Sequence, residues 1–295
     1  MKNFKLFKFF SVLQLIKRNM KNLLSIILLI PILCFSQDFQ GKAYYMSKIS
    51  VDKSWMDNPR YASRKGYMND MIKRNTEKDY VLEFNSIEST YKEIEKLETE
   101  GQGFNWMANY VGENIGKIYK NAQDKISINE TEMMGKFFLV TEDLENTKWK
   151  MSGESKKIGQ YTCYKATYSK KVEEKVFSFG SWNQNNQTSQ NKKPKKMRDV
   201  EVVAWFTPEI PVSSGPSWYQ GLPGLILEVS DDKTTILCTK IVMNPKEKTK
   251  IKRPKKGKTI SNQDFVTLQD EKRAESLEMW RKARQKRQSS TARLR

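Results

Sequence analysis

The sequence predicts a mainly β protein, of the α+β kind, with an antiparallel, meander-like curved sheet, a few helices and a C-terminal helix. Three observations support this prediction. Short segments of alternating apolar and polar residues recur along the chain, and turn residues separate them. Segments with helical spacing are too few to cover both faces of a sheet. The chain contains no internal repeat at the periods that are typical of solenoids or propellers.

The N-terminal 36 residues resemble a secretory signal peptide. Met20 and Lys21 provide a basic start, the apolar run over 23–33 provides the core, and small residues precede Gln37. The run is much shorter than the roughly 20 apolar residues that a membrane-spanning helix needs. We therefore predict that the chain starts at Met20, is cleaved after Ser36 and is exported.

The next part of the chain, 37–243, reads as a β-rich domain. Residues 54–76 have helical spacing, 87–100 fit either a strand or a charged helix, and 102–116 read as a loop. A low-complexity stretch predicts a mobile loop over 170–198, which forms the tip of a long hairpin. The predicted strands are 41–50, 79–85, 117–122, 125–130, 136–141, 160–169, 199–207, 225–229 and 234–243.

The stretch 205–229 is the most distinctive part of this domain. Pro208 stops a strand because proline offers no N–H to a ladder, and Leu222-Pro223-Gly224-Leu225 suits a type II turn, which needs a positive φ at Gly224. Two interpretations remain open. The stretch is either a corner between two strands or a binding surface. The candidate binding residues are Trp218, Tyr219, Gly221, Leu222, Pro223 and Gly224.

Four segments carry a resemblance to a known family. They are GLPGLI at 221–226, AWFTPEIP at 204–211, KIGQYTCYKA at 157–166 and PKKGK at 254–258. Together they resemble the GLPGLI family of Bacteroidota envelope proteins, over most of the chain from about Tyr44. The resemblance implies a secreted, β-rich protein. Because the family has no established activity, it implies no catalytic residue.

Two cysteines, Cys163 and Cys238, remain after removal of the signal peptide. In an oxidising exported compartment, an even pair of cysteines predicts a disulfide, and two buried thiols are the alternative. A disulfide would place the 160–168 strand beside, or across from, the 234–243 strand.

The positive charge is concentrated in two segments. The net charge is +19, and residues 244–295 hold seventeen Lys/Arg against six Asp/Glu, while 170–198 hold eight against two. A signal peptide argues against a nucleic-acid partner. Two interpretations of 246–295 remain open: the segment contacts anionic headgroups or lipopolysaccharide, or its charges only keep the tail soluble. This tail reads as a basic linker followed by a helix over 262–288, with Ser261 as its N-cap and Asp264 as capping partner. Docking on the sheet and lying on a membrane are both open for this helix.

The absence of histidine limits the chemistry that the chain offers. Without histidine there is no Ser-His-Asp or Cys-His nucleophile and no usual zinc ligand set. Neither a phosphate loop nor a dinucleotide fingerprint occurs. The sequence therefore predicts no cofactor and no metal.

These features together predict an exported binding or structural protein of the cell envelope without catalytic activity. Its curved sheet would hold a lipid, a peptide or a protein partner. The alternative is a carboxylate-dependent hydrolase of envelope glycans, which would use acids near the signature. Those acids are Glu209, Glu228, Asp231 and Asp232. The Asp231-Asp232 pair also suits a tight turn, and Glu209 and Glu228 suit an exposed loop and an outward strand position.

Overall fold

The structure is a computed structural model that describes residues 39–95, 116–144, 147–173, 197–247 and 250–293. Residues from Gln40 onward form one compact unit. The predicted signal peptide over 1–36 and nearly all of the predicted loop over 102–116 lie outside the described residues.

Twelve strands and two α-helices make up the described fold. Two 3₁₀ turns, Ser54–Asp57 and Pro59–Arg64, precede helix α1 (Lys65–Thr76), and helix α2 is Asn262–Arg293. The strands are β1 (Gln40–Ile49), β2 (Glu77–Asn85), β3 (Glu88–Glu93), β4 (Lys117–Asn121), β5 (Ile126–Met133), β6 (Lys136–Asp143), β7 (Lys150–Ile158), β8 (Tyr161–Glu173), β9 (Met197–Thr207), β10 (Leu225–Asp231), β11 (Thr234–Met243) and β12 (Lys258–Ser261).

All twelve strands belong to one sheet, in the order β12-β6-β5-β4-β3-β2-β1-β11-β10-β9-β8-β7. Two meanders, β1 to β6 and β7 to β11, are joined by antiparallel pairing of β1 with β11. Only the pairing of β12 with β6 is parallel among the described strands. The predicted mainly β, antiparallel meander is therefore confirmed, with a parallel edge strand that was not predicted.

Most predicted elements agree with the structure to within a few residues. The helical assignment over 54–76 is confirmed, and β3 shows that the ambiguous 87–100 segment begins as a strand. The predicted loop over 170–198 is strand at both ends, because β8 runs to Glu173 and β9 starts at Met197. Residues 174–196 lie outside the described residues. Strand β7 was missed because it is an edge strand, exposed along most of its length, without apolar alternation.

One face of the sheet is apolar, and we call it the inner face. Alternate residues of β1 to β4 point inward, where Tyr45, Leu82, Tyr91 and Ile118 are almost completely buried. The rings of Tyr80 and Tyr91 stack at 4.8 Å between centroids. This inner face holds the core and the segment that follows β9.

The basic linker packs on the sheet before helix α2 begins. Ile251 packs against the cluster of Tyr119, Ile128 and Leu139 on the outer face, and Pro254 is buried. Strand β12 then extends the sheet beyond β6. These contacts cross the predicted division between a domain over 37–243 and a tail over 244–295.

Helix α2 docks through its first turns. The predicted cap is present, because the backbone N–H of Asp264 donates to Ser261 Oγ and this hydroxyl donates back to the Asp264 carboxylate. Phe265 is buried at 5.4 Å from the ring of Phe138, whereas Met279 is 64% exposed. Among the described residues, no helix combines the length and apolar character that crossing a membrane requires.

Candidate functional site

The segment between β9 and β10, residues 208–224, lies against the inner face of the sheet; we call it the signature loop. Strand β9 ends at Thr207, so Pro208 stops it as predicted. Leu222 is 1% exposed and packs with a cluster from three strands. The cluster consists of Ala166, Val202, Ala204, Phe206, Ile226 and Val229. The loop is therefore part of the core and not a surface corner.

Lys120 on β4 holds the other side of the signature loop. Its ammonium group donates to the carbonyl oxygens of Gly215 at 2.8 Å, Ser217 at 3.0 Å and Tyr219 at 3.3 Å. Four strands separate β4 from β10 in the sheet order, so this contact spans the inside of the curved sheet. Burial lowers the pKa of Lys120 to about 7, because desolvation disfavours the charged amine.

Two further hydrogen bonds fix the loop, and a third binds the start of β10, which follows it. The hydroxyl of Tyr45 donates to the carbonyl oxygen of Ile226 at 2.7 Å, and the hydroxyl of Ser214 donates to that of Ser89 at 2.9 Å. The indole N–H of Trp149 donates to the carbonyl oxygen of Gln220 at 2.8 Å. Burial raises the pKa of Tyr45 well above its usual range, so its phenol remains a donor. Buried polar groups are thus paired across the loop.

The two glycines of the predicted turn have different roles from those predicted. Gly221 has a φ of +88°, whereas the φ of Gly224 is not positive. A Cβ on Gly224 would lie only 2.1 Å from the carbonyl oxygen of Thr207. The predicted type II turn with a positive φ at Gly224 is therefore wrong. Gly224 is required because β10 begins in close contact with the end of β9.

The predicted binding residues divide between the two sides of the loop. Trp218 is 37% exposed, and Gly221 and Pro223 are also exposed. Leu222 and Gly224 are buried. Tyr219 is half-buried, and its hydroxyl donates to the Asp231 carboxylate. The outer side of the loop therefore offers one large aromatic side chain, Trp218, for contact.

The four acids near the signature each have a structural partner. Glu209 accepts a hydrogen bond from the backbone N–H of Thr162 at 2.8 Å, and Glu228 pairs with Lys156 at 2.7 Å. Asp231 pairs with Lys170, and Asp232 pairs with Arg198 at a turn where its own φ is +48°. These contacts arrange the acids as ion pairs and turn residues. They do not form a pair of carboxylates facing a common cleft.

Cys163 and Cys238 are both free and buried, so the predicted disulfide is not formed. Cys163 lies on β8 and Cys238 on β11, and β9 and β10 separate these strands. Burial raises the pKa of Cys163 to about 11 and that of Cys238 to about 12. The alternative of two buried thiols describes the structure.

A small cleft lies where the signature loop meets β3 and β4. Its lining includes Glu88, Ser89, Lys120, Ser213 and Gln220, and its free volume is about 10 Å³, of the order of one water molecule. The cleft is too small for an acyl chain or a sugar. Among the described residues, no group of three or more Cys, Asp or Glu side chains is placed to hold a metal ion.

Sequence reasoning missed Lys120, although it predicted the strand that carries this lysine. Alternation along β4 places Lys120 on the same face as Ile118, which is completely buried. A lysine in phase with core residues is an unusual position, because lysine is almost never fully buried without a partner. The position of Lys120 on the apolar face of its strand was therefore the signal available in the sequence. The partner carbonyls could not be identified without the fold.

The chain was compared with protein families and with curated proteins. The fold and the loop define a single-sheet β protein whose own connecting segment fills its inner face. Residues 149–228 match the family model "Protein of unknown function (Porph_ging)", a stretch that runs from just before β7 into β10 and contains the signature loop. No curated protein matches the chain.

Two solved structures are similar to the chain, "Structure of PNGF-II in P21 space group" and "Structure of PNGF-II in C2 space group". Both are 11% identical to it, with TM-scores of 0.43 and 0.42. Each match covers 78% of this chain, and 33% and 32% of the respective PNGF-II chains. The chain thus spans about a third of the length of these structures.

Proposed function

We propose that this chain is an exported cell-envelope protein of the GLPGLI family that binds a protein partner and has no catalytic activity. The GLPGLI hexapeptide at 221–226 and the Porph_ging match over 149–228 support the family. The predicted signal peptide over 1–36 supports export. The proposed partner contacts the exposed side of the signature loop, which carries Trp218.

One observation carries this proposal: the signature loop occupies the inner face of the sheet. Leu222 fills the apolar cluster on β8 to β10, and Lys120 binds the loop from β4. A lipid carrier needs an apolar cavity of several hundred Å³. A lipid in this sheet would have to displace the loop and expose its buried hydrogen bonds. Partner binding on the outside requires no such displacement, and Trp218 is a large aromatic side chain available for it.

The experiment combines native mass spectrometry with site-specific crosslinking. A photo-crosslinking amino acid replaces Trp218 in one variant and Tyr67, a 66% exposed residue of α1, in the control. We expect ligand-free protein after mild extraction and one crosslinked species that forms from position 218 and not from position 67. A uniform lipid adduct, or identical crosslinking from both positions, would refute partner binding at the loop. Turnover of envelope glycans by the wild-type protein would refute the absence of catalysis.

A second proposal concerns the basic end of the chain. Residues 281–293, the last part of α2, carry six Lys/Arg and no acid, while all five acids of the helix lie between Asp264 and Glu278. We propose that this cationic end contacts an anionic leaflet electrostatically, each charge near the surface contributing about 1 kcal/mol. Phe265, in the first turn of α2, is buried in the fold, whereas Met279 is 64% exposed. Insertion as an amphipathic helix is therefore not part of the proposal.

Sedimentation with phosphatidylglycerol vesicles tests this contact. The structure determines the truncation, since deletion of 244–295 would also remove β12 and Phe265 from the fold. A chain that ends at Trp280 retains both. We expect the full chain to bind at low salt and to dissociate at high salt, and the shortened chain not to bind. Equal binding of the two chains would refute the proposal.

A further inference from the structure

The two-residue turn between β5 and β6 contains a methionine at a position that favours a different residue. Met133 pairs with Lys136, so Met134 and Gly135 form the turn, and their φ angles are +53° and +74°. A hairpin turn with a positive φ at both central residues favours Asn-Gly or Asp-Gly, because longer L side chains rarely adopt this conformation. Met134 is also 63% exposed, so it contributes little to the core. Neither the turn nor the core accounts for a methionine here.

A second apolar side chain is exposed at the same end of the hairpin. Phe137, at the start of β6, is 38% exposed, whereas Phe138, the next residue, is buried. Met133 is half-buried, because it packs against the cluster that includes Phe138 and Phe265. We call residues 133–137 the hairpin tip. It offers Met134 and Phe137 to the surroundings of the protein.

Basic side chains lie at the tip and beside it. The ammonium group of Lys256 lies 4.0 Å from the centroid of the Phe137 ring. The linker is close to the hairpin at this point, since a Cβ on Gly257 would lie 2.9 Å from the carbonyl group of Phe137. The nearest acid along the hairpin is Glu132, which pairs with Phe137 across the strands. Four exposed lysines belong to the tip or to the adjoining linker and β12: Lys136, Lys255, Lys256 and Lys258.

Helix α2 runs toward the same end of the sheet. The side-chain amide of Asn262, at the start of α2, donates to the Glu142 carboxylate at 3.3 Å, near the end of β6 that is far from the tip. The ring of Phe265 packs against Phe138, four positions closer to the tip. The helix therefore runs back along β6 toward the tip. Its cationic end, residues 281–293, follows in that direction.

We propose that the hairpin tip inserts Met134 and Phe137 into an anionic leaflet, at the boundary between headgroups and acyl chains. The lysines bind the lipid phosphates, and Lys256 keeps its ammonium group at their level while the Phe137 ring enters the apolar layer. A leaflet provides both a negative surface and an apolar interior, the two environments that this tip matches. The inference rests on the second proposed function, the contact of α2 with an anionic leaflet, and identifies where the fold enters that leaflet.

Sedimentation of the full chain with phosphatidylglycerol vesicles tests the inference through three variants. Met134→Asn should lower the affinity about tenfold, since burial of an apolar side chain of this size changes an equilibrium constant by roughly that factor. Met134→Leu should bind within about twofold of the wild type. Met151→Asn is the matched control and should bind as the wild type does, because Met151 is 53% exposed on β7, at the opposite edge of the sheet.

Urea unfolding of the same variants separates binding from folding. Asparagine tolerates a positive φ, so Met134→Asn should keep or raise the unfolding midpoint while it loses affinity. A lowered midpoint would show that the methionine stabilises the turn, and it would overturn the inference. Wild-type affinity of Met134→Asn, or an equal loss in Met151→Asn, would also overturn it and leave the contact of α2 intact. A full chain that binds no vesicles at low salt would instead refute the proposed contact itself.

Discussion

Substitution of Gly224 distinguishes two reasons for a glycine at the start of β10. Glycine is needed there either because the backbone of β9 is too close for a Cβ atom or because the position has a positive φ. A Cβ at this position would lie 2.1 Å from the carbonyl oxygen of Thr207, 2.6 Å from its carbonyl carbon and 2.9 Å from the Cα of Pro208. All three contacts are backbone atoms, so no side-chain rotation can relieve them. Normal contact requires the end of β9 to move by about 1.3 Å, which breaks the pairing of Leu225 with Thr207.

We expect Gly224→Ala to lower the free energy of unfolding by about 3 kcal/mol or more, at the upper end of the range for overpacked sites. Gly224→Asn should cost at least as much, since asparagine also has a Cβ. Gly221 is the matched control, because its φ is +88° and an added Cβ would meet only Trp149 at 3.7 Å. Gly221→Ala should cost about 1–2 kcal/mol for the left-handed backbone, and Gly221→Asn less, because asparagine tolerates this conformation.

Urea unfolding followed by tryptophan fluorescence measures all four variants. The ranking matters more than the absolute values, because all four share the same unfolded reference. If Gly224→Asn were nearly as stable as the wild type while Gly224→Ala was not, Gly224 would require a positive φ. That result would refute the close-contact explanation and restore the type II turn.

Three further changes test the packing around the loop and the tail. Phe265→Ala removes a buried ring and should lower the free energy of unfolding by about 3 kcal/mol. It should also release the start of α2, which hydrogen exchange would detect. Val266→Ala, at the exposed neighbouring position, should lower the free energy of unfolding by less than about 0.5 kcal/mol. In a chain without residues 1–36, Cys163 and Cys238 should react with a thiol reagent at pH 8 only after denaturation. Burial raises their pKa values to about 11 and about 12, so few thiolates form in the native protein. Rapid reaction of the native protein would contradict this expectation. Tyr45→Phe removes a buried hydrogen bond and should lower the free energy of unfolding by about 1–2 kcal/mol, measured by urea unfolding; an unchanged midpoint would show that the bond to the loop contributes little.

The candidate site was predicted in part. The sequence indicated that 205–229 was the distinctive stretch, and the loop does contact both halves of the sheet. It did not indicate Lys120 and Ser89 as partners of the loop, or Tyr45 as a partner of the start of β10, because those residues come from strands more than 90 positions away. The predicted disulfide is not present in the structure, where both cysteines are free and buried. Cys163 lies on β8 and Cys238 on β11, and the order of the second meander places β9 and β10 between them.

Local patterning alone determined most of the elements of this protein. Period-two alternation marked β1 and β2, Pro208 marked the end of β9, and Ser261 with Asp264 marked the start of α2, because each signal acts over a few residues. The tertiary structure alone decided which distant elements meet. Strand β7 has no apolar alternation, so only its hydrogen bonds to β8 identify it. The same holds for Lys120 and Gly224, whose roles are set by backbone groups of the signature loop and of the end of β9.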